Sequence, residues 1–145
     1  MRKDKSSDRK SSAKESSEER SYNWGKSSRH HIISRTVGGP DVPENIYDCP
    51  VLWHQTWHQL FHNYLPSVVI RIIKSWMDKN GNLSKEKILE YVLKEEKNPK
   101  GVEKKAEKIF KEWKRAFDRE SPQGVINFIE TEFLPVEKKF LDGEI

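Results

Sequence analysis

A chain of 145 residues, 34% apolar and 34% charged, can make one domain of ordinary size with a lean core. No apolar run approaches the roughly 20 residues that span a bilayer, and the N-terminus has no hydrophobic signal segment, so a cytoplasmic protein without a membrane partner is expected. Cys49 is the only cysteine, which excludes a disulfide framework and zinc sites built from CxxC pairs.

The net charge of +4 is unevenly placed: residues 1–29 carry nine Lys/Arg and five Asp/Glu, whereas residues 30–145 carry eighteen of each. Residues 1–21 offer almost nothing large and apolar after Met1. They cannot offset the entropy of ordering, so a disordered, basic, serine-rich tail is expected. Such a tail suits either solubility or phosphate contacts with nucleic acid. Tyr22 and Trp24 are the first residues able to anchor a folded part.

The β-prone run His30-His31-Ile32-Ile33 comes next, then Val37-Gly38-Gly39-Pro40-Asp41, where glycine freedom and the Pro-Asp pair require a bend. Asn45-Ile46-Tyr47-Asp48-Cys49 is a second short strand candidate, ended by Pro50. The two runs are close enough to pair as an antiparallel hairpin. Cys49 reads as a half-buried structural residue.

From Val51 to about Leu65 the period becomes helical: Trp53, Trp57, Leu60, Phe61 and Tyr64 form one apolar stripe. At about 100° per residue, His54, His58 and His62 form a second stripe beside it. Trp53 and Trp57 read as core residues. Pro66 marks a break or kink. Helices are then expected over 67–79, after an N-cap at Ser84, from Val102 to Phe117, and from Pro122 to Leu134, with Pro135 interrupting the last. DKNGN at 78–82 lacks the remaining ligands of a calcium loop and reads as a helix terminus.

All five histidines of the chain, His30, His31, His54, His58 and His62, fall between Arg29 and Asn63. Adjacent histidines on a strand point to opposite faces, so His30 and His31 suit two different roles. Histidines at i and i+4 on a helix share one face and can grip one cation. One strand histidine and two helix histidines make three protein ligands. The remaining strand histidine stands beside them, where an imidazole of near-neutral pKa can take a proton from water. That constellation suits metal-assisted hydrolysis.

The succession HHI, GG and D, Asn, then H-x-x-x-H resembles the HNH endonuclease motif and its ββα-metal fold, with spacing similar to that of the colicin-type nuclease domains. The resemblance implies that His31 is the general base and that His30, His54 and His58 hold the metal. It implies that Asn45 keeps the second strand in register and orients His31 through a side-chain hydrogen bond, and that Gly38-Gly39 form the bend. It covers about 35 residues. Ser34 stands where many members have proline, and the CxxC pairs of a second zinc site are absent. The Trp53, Trp57 and Phe61 stripe, packed on the downstream helices, is expected to hold the motif instead.

The expected fold class is therefore mostly helical α+β: a tail over 1–21, an HNH-like ββα-metal motif over 22–65, and a helical extension over 66–145 packed on it. The expected function is metal-dependent hydrolysis of phosphodiester bonds in DNA, with RNA the alternative substrate. A non-catalytic, metal-stabilised module that binds nucleic acid or a protein is the rival reading. Three neutral imidazoles favour zinc or nickel, and the family resemblance adds magnesium or manganese. Arg29, Arg35 and His62 are candidate phosphate contacts, although surface solubility explains them equally well.

Overall fold

The computed structural model describes residues 26–96, 98, 100–117 and 120–145. The expected tail over 1–21 and the anchors Tyr22 and Trp24 lie outside the described residues.

Strands β1 (Ser27–His31) and β2 (Ile46–Pro50) pair antiparallel, in register from Ser27 opposite Pro50 to His31 opposite Ile46. Helix α1 (Val51–Phe61) follows directly. The remaining described helices are α2 (Pro66–Ser75), α3 (Lys85–Glu95), α4 (Val102–Phe117), α5 (Pro122–Glu132) and α6 (Leu134–Leu141). The protein is thus a mostly helical α+β fold that opens with a ββα unit. None of the described helices is long and apolar enough to cross a membrane.

β1 lies upstream of the expected run because Ile32 and Ile33 leave the ladder. The Ile32 N–H donates to the Asn45 carbonyl at 2.8 Å, and the Ile33 N–H donates to Asn45 Oδ1 at 2.8 Å. Asn45 Nδ2 in turn donates to the carbonyls of Ile33 (3.0 Å) and Pro40 (2.9 Å). One fully buried amide therefore closes the loop between the strands. Gly39 belongs to the same closure. A Cβ there would sit 1.7 Å from the Ile33 carbonyl oxygen, so only glycine permits the approach. Gly38, at φ 94°, caps the short turn Arg35–Val37 in the left-handed region.

α1 ends at Phe61, earlier than the apolar period implies, and Pro66 opens α2 instead of kinking α1. A proline in the first turn costs nothing, because its missing N–H is one that has no helical partner. The early end leaves Tyr64 exposed while Leu52, Thr56, Trp57, Leu60 and Phe61 are buried. Ser84 caps α3, its hydroxyl accepting from the Lys87 N–H. Ser121 caps α5 through the Gly124 N–H. In the 78–82 turn, Asp78 Oδ1 accepts from the Asn80 and Asn82 N–H groups, so its carboxylate stabilises the turn itself.

One apolar core runs through both the ββα unit and the helices after it. Phe133 lies between them, with its ring 5.6 Å from Trp57 and 5.4 Å from Tyr47, and Phe117 meets the edge of Trp53 at 5.9 Å. α6 is tied to the start of α2 by the buried Glu137, whose carboxylate accepts from the Ser67 N–H at 2.8 Å and hydroxyl at 2.6 Å. An anion at a helix N-terminus is favoured by the dipole.

Replacing Asn45 by Ala should expose this dependence. The variant leaves the Ile33 N–H and two carbonyls without side-chain partners, and urea unfolding should show a loss of about 2–4 kcal/mol. A loss below about 0.5 kcal/mol would mean that the loop closes without the amide.

Candidate metal centre

Strand alternation divides the histidine pair. Ser28 and His30 face inward and His30 is 2% exposed, whereas Arg29 and His31 lie on the outer face. On α1 the four-residue step brings His54 and His58 onto the flank that faces His30. The ring of His30 lies 5.1 Å from that of His54 and 5.4 Å from that of His58. One ligand nitrogen from each of the three falls within 4.8 Å of the others. The expected ligand set therefore converges.

His30 has no hydrogen-bond partner at either ring nitrogen. Its other neighbours are aromatic: Trp53, Trp57 and Phe133, with ring centroids at 5.6, 5.4 and 5.7 Å. A buried polar atom without a partner costs about 1–3 kcal/mol, a cost that a ligand on the ring lone pair would offset. Burial, and then the neighbouring His54, His58 and His31, lower its pKa from 6.5 to about 3. Burial also lowers that of His54, followed by the influence of His58 and His31. Neutral imidazole is the form that binds metal.

The helix pair is held from outside. His58 Nδ1 is 3.0 Å from the His62 carbonyl oxygen. A carbonyl only accepts, so Nδ1 carries the proton and Nε2 presents its lone pair. His54 Nε2 is 3.0 Å from that Nε2, close to the roughly 3.3 Å separating two imidazole nitrogens on a tetrahedral zinc ion. His54 Nδ1 lies 2.6 Å from the Ser28 hydroxyl. That hydroxyl can donate or accept, so it serves His54 whether Nε2 bears a proton or is free for an ion. The three converging imidazoles, the lowered pKa of His30 and His54, and the unpartnered ring nitrogens of His30 fit a divalent metal ion.

No family model, curated protein or solved structure matches this chain.

His31 meets Asp41, not Asn45: its Nε2 is 3.2 Å from Asp41 Oδ1, while the Asn45 side chain is committed to Ile33 and Pro40. The expected Asn45–His31 hydrogen bond is thus corrected, because the fully buried Asn45 amide spends its oxygen and its amino group on the backbone of Ile33 and Pro40. Arg29 lies at the same rim, 3.5 Å from Asp41 Oδ1. Arg35 sits on the exposed Arg35–Val37 turn. His62 does not extend the histidine stripe, since α1 has already ended. It takes φ 51° and ψ −127°, the one positive φ of a non-glycine among the described residues. Its exposed ring packs beside Tyr64, and it serves the site through its backbone carbonyl. Cys49 is buried with its thiol pushed up to about 12, by burial and then by Asp48, and stays out of the chemistry. Ser28 and Asp41 are the contributors that motif reading passes over. For Ser28 the available signal was its place two residues before His30, on one strand face.

Two outcomes follow for the purified protein. Ser28→Ala removes the outer partner of His54 and should weaken zinc binding about 10- to 100-fold by competition titration. Unchanged affinity would remove Ser28 from the site. In the metal-free protein the unfolded chain takes up a proton at His30 near pH 6.5 while the folded chain stays neutral to about 3. This contribution is therefore intact above 6.5 and falls with acidification, by about 1.4 kcal/mol per pH unit. Urea unfolding at pH 7, 6 and 5 should show that slope in the wild type and a shallower one in His30→Phe.

Proposed function

We propose that this chain is a metal-dependent endonuclease of the HNH kind that hydrolyses phosphodiester bonds in DNA. One observation carries the reading. Two adjacent histidines stand on opposite faces of one strand, so the cluster that His30 forms with His54 and His58 of α1 and a fourth imidazole at the solvent rim lie on either side of β1. The order of residues that resembles the HNH motif supports the same assignment.

In this reading His30, His54 and His58 hold a divalent ion, zinc, nickel, magnesium or manganese. The ion supplies Lewis-acid stabilisation of charge on the phosphate and on the leaving oxygen. His31 does the proton chemistry. With Nε2–H donated to Asp41, its Nδ1 lone pair takes a proton from water. The oxygen of that water attacks phosphorus, the bond to the sugar oxygen breaks, and that oxygen takes a proton from solvent as it leaves. A phosphate end and a hydroxyl end result. Arg29 stands at the same rim, where a guanidinium suits a phosphate oxygen. Residues 30–145 carry equal numbers of cations and anions, which suits non-specific or structure-guided cleavage better than sequence reading.

The purified full chain should nick plasmid DNA only when a divalent ion is supplied. His31→Ala should keep its stoichiometric metal and lose about 10² to 10⁴ in rate. Stoichiometric metal with no nicking under zinc, nickel, magnesium or manganese would refute the enzyme and leave a non-catalytic, metal-stabilised binding module.

A further inference from the structure

We infer that Asp41 is the positioning residue for His31, holding its imidazole in one orientation and one tautomer. For the catalytic consequence this rests on the nuclease reading above. The orientation itself does not.

A rigid connection between the two residues is the first observation. The chain just before Asp41 is pinned to the chain just after His31 at three points. Asn45 bridges the Pro40 and Ile33 carbonyls, the Gly39 N–H donates to the Ser34 carbonyl at 2.9 Å, and Gly39 lies against the Ile33 carbonyl at a distance that admits no side chain. Asp41 and His31 are therefore neighbours within one closed loop, and the carboxylate does not have to search for its partner. Asn45, fully buried, acts on His31 at one remove by placing Asp41.

The second observation is the chemistry of the contact. Asp41 Oδ1 is 3.2 Å from His31 Nε2. An ionised carboxylate accepts and cannot donate, so Nε2 carries the ring proton and Nδ1 keeps the lone pair. Arg29, two residues before His31 on the same face of β1, reaches the same oxygen at 3.5 Å. The guanidinium thereby holds the carboxylate between two strand side chains. Both partners of the Arg29–Asp41 pair are largely exposed, and exposed ion pairs contribute little to stability. Removing Asp41 should thus leave the fold intact and release the ring of His31.

The test uses the full chain in three forms: wild type, Asp41→Ala and Asp41→Asn. Long-range ¹H–¹⁵N spectra at pH 8 read the His31 tautomer without reference to activity. The wild type should show the Nε2–H form alone. Asp41→Ala should show a mixture, and Asp41→Asn, which retains an acceptor oxygen, should restore the wild-type pattern. Zinc affinity should be the same in all three. With plasmid DNA, Asp41→Ala should lose roughly 10²-fold in kcat, the cost of a misplaced reacting group, with KM little changed. A wild type protonated at Nδ1, or an Asp41→Ala spectrum identical to the wild type, would overturn the inference. If the tautomer responds while the wild type cleaves nothing with any ion, the positioning role stands and the nuclease reading falls. If the wild type cleaves and the tautomer ignores Asp41, the reverse holds.

Discussion

Burial of a neutral imidazole, that of His30, is the constraint on which the rest of the structure depends. Its ring occupies a place in the core that a phenylalanine could fill, edge-on to Trp53 and Trp57 and beside Phe133. Yet it brings two ring nitrogens that no protein group satisfies. Protonation there is strongly disfavoured, so the ring keeps a lone pair that charge uptake does not remove at ordinary pH. The aromatic wall that imposes this comes from two directions, α1 and the junction of α5 with α6. The site is therefore a property of the whole fold as well as of the ββα unit.

That dependence accounts for the helical extension. The described residues of α2 to α6 contribute no member of the three-imidazole cluster. Their role at the site is mechanical. Phe117 and Phe133 close the side of the ββα unit that a short hairpin and one helix cannot close alone. Glu137 holds α6 against α2 by accepting from the Ser67 N–H and hydroxyl at the α2 N-terminus. Packing of this kind holds the ββα unit against the later helices.

At the outer face of the hairpin, a short loop does something different. It reverses the chain and returns a carboxylate to the strand it left, using an amide with three partners and a glycine that admits no substitution. His62 does the equivalent at the end of α1. A backbone conformation costing about 1–3 kcal/mol in a non-glycine residue turns its carbonyl back onto His58. Both cases hold an imidazole by backbone geometry that side-chain identity does not reveal.

Side-chain periodicity alone carried much of the fold. The switch from period two to period 3.6 between Cys49 and Val51 placed the hairpin and helix. The four-residue step of His54 and His58 put them on one face, and the adjacency of His30 and His31 put those on two. The caps at Ser84 and Ser121 were legible for the same reason, since each is a local hydrogen bond between near neighbours in the chain. The elements at which that reading stopped short depend on distant partners. β1 ends at His31 because Asn45, twelve residues beyond Ile33, takes over the pairing. Asp41 was legible as a turn residue, but its contact with His31 exists only once the loop has closed. Ser28 meets His54 across 26 residues of sequence. Sequence by itself determined which residues could bind an ion and which strand face each would take, because alternation and helical pitch are local. Only the tertiary structure decided which of them are buried, neutral and oriented, because desolvation and hydrogen-bond partners come from elements far apart along the chain.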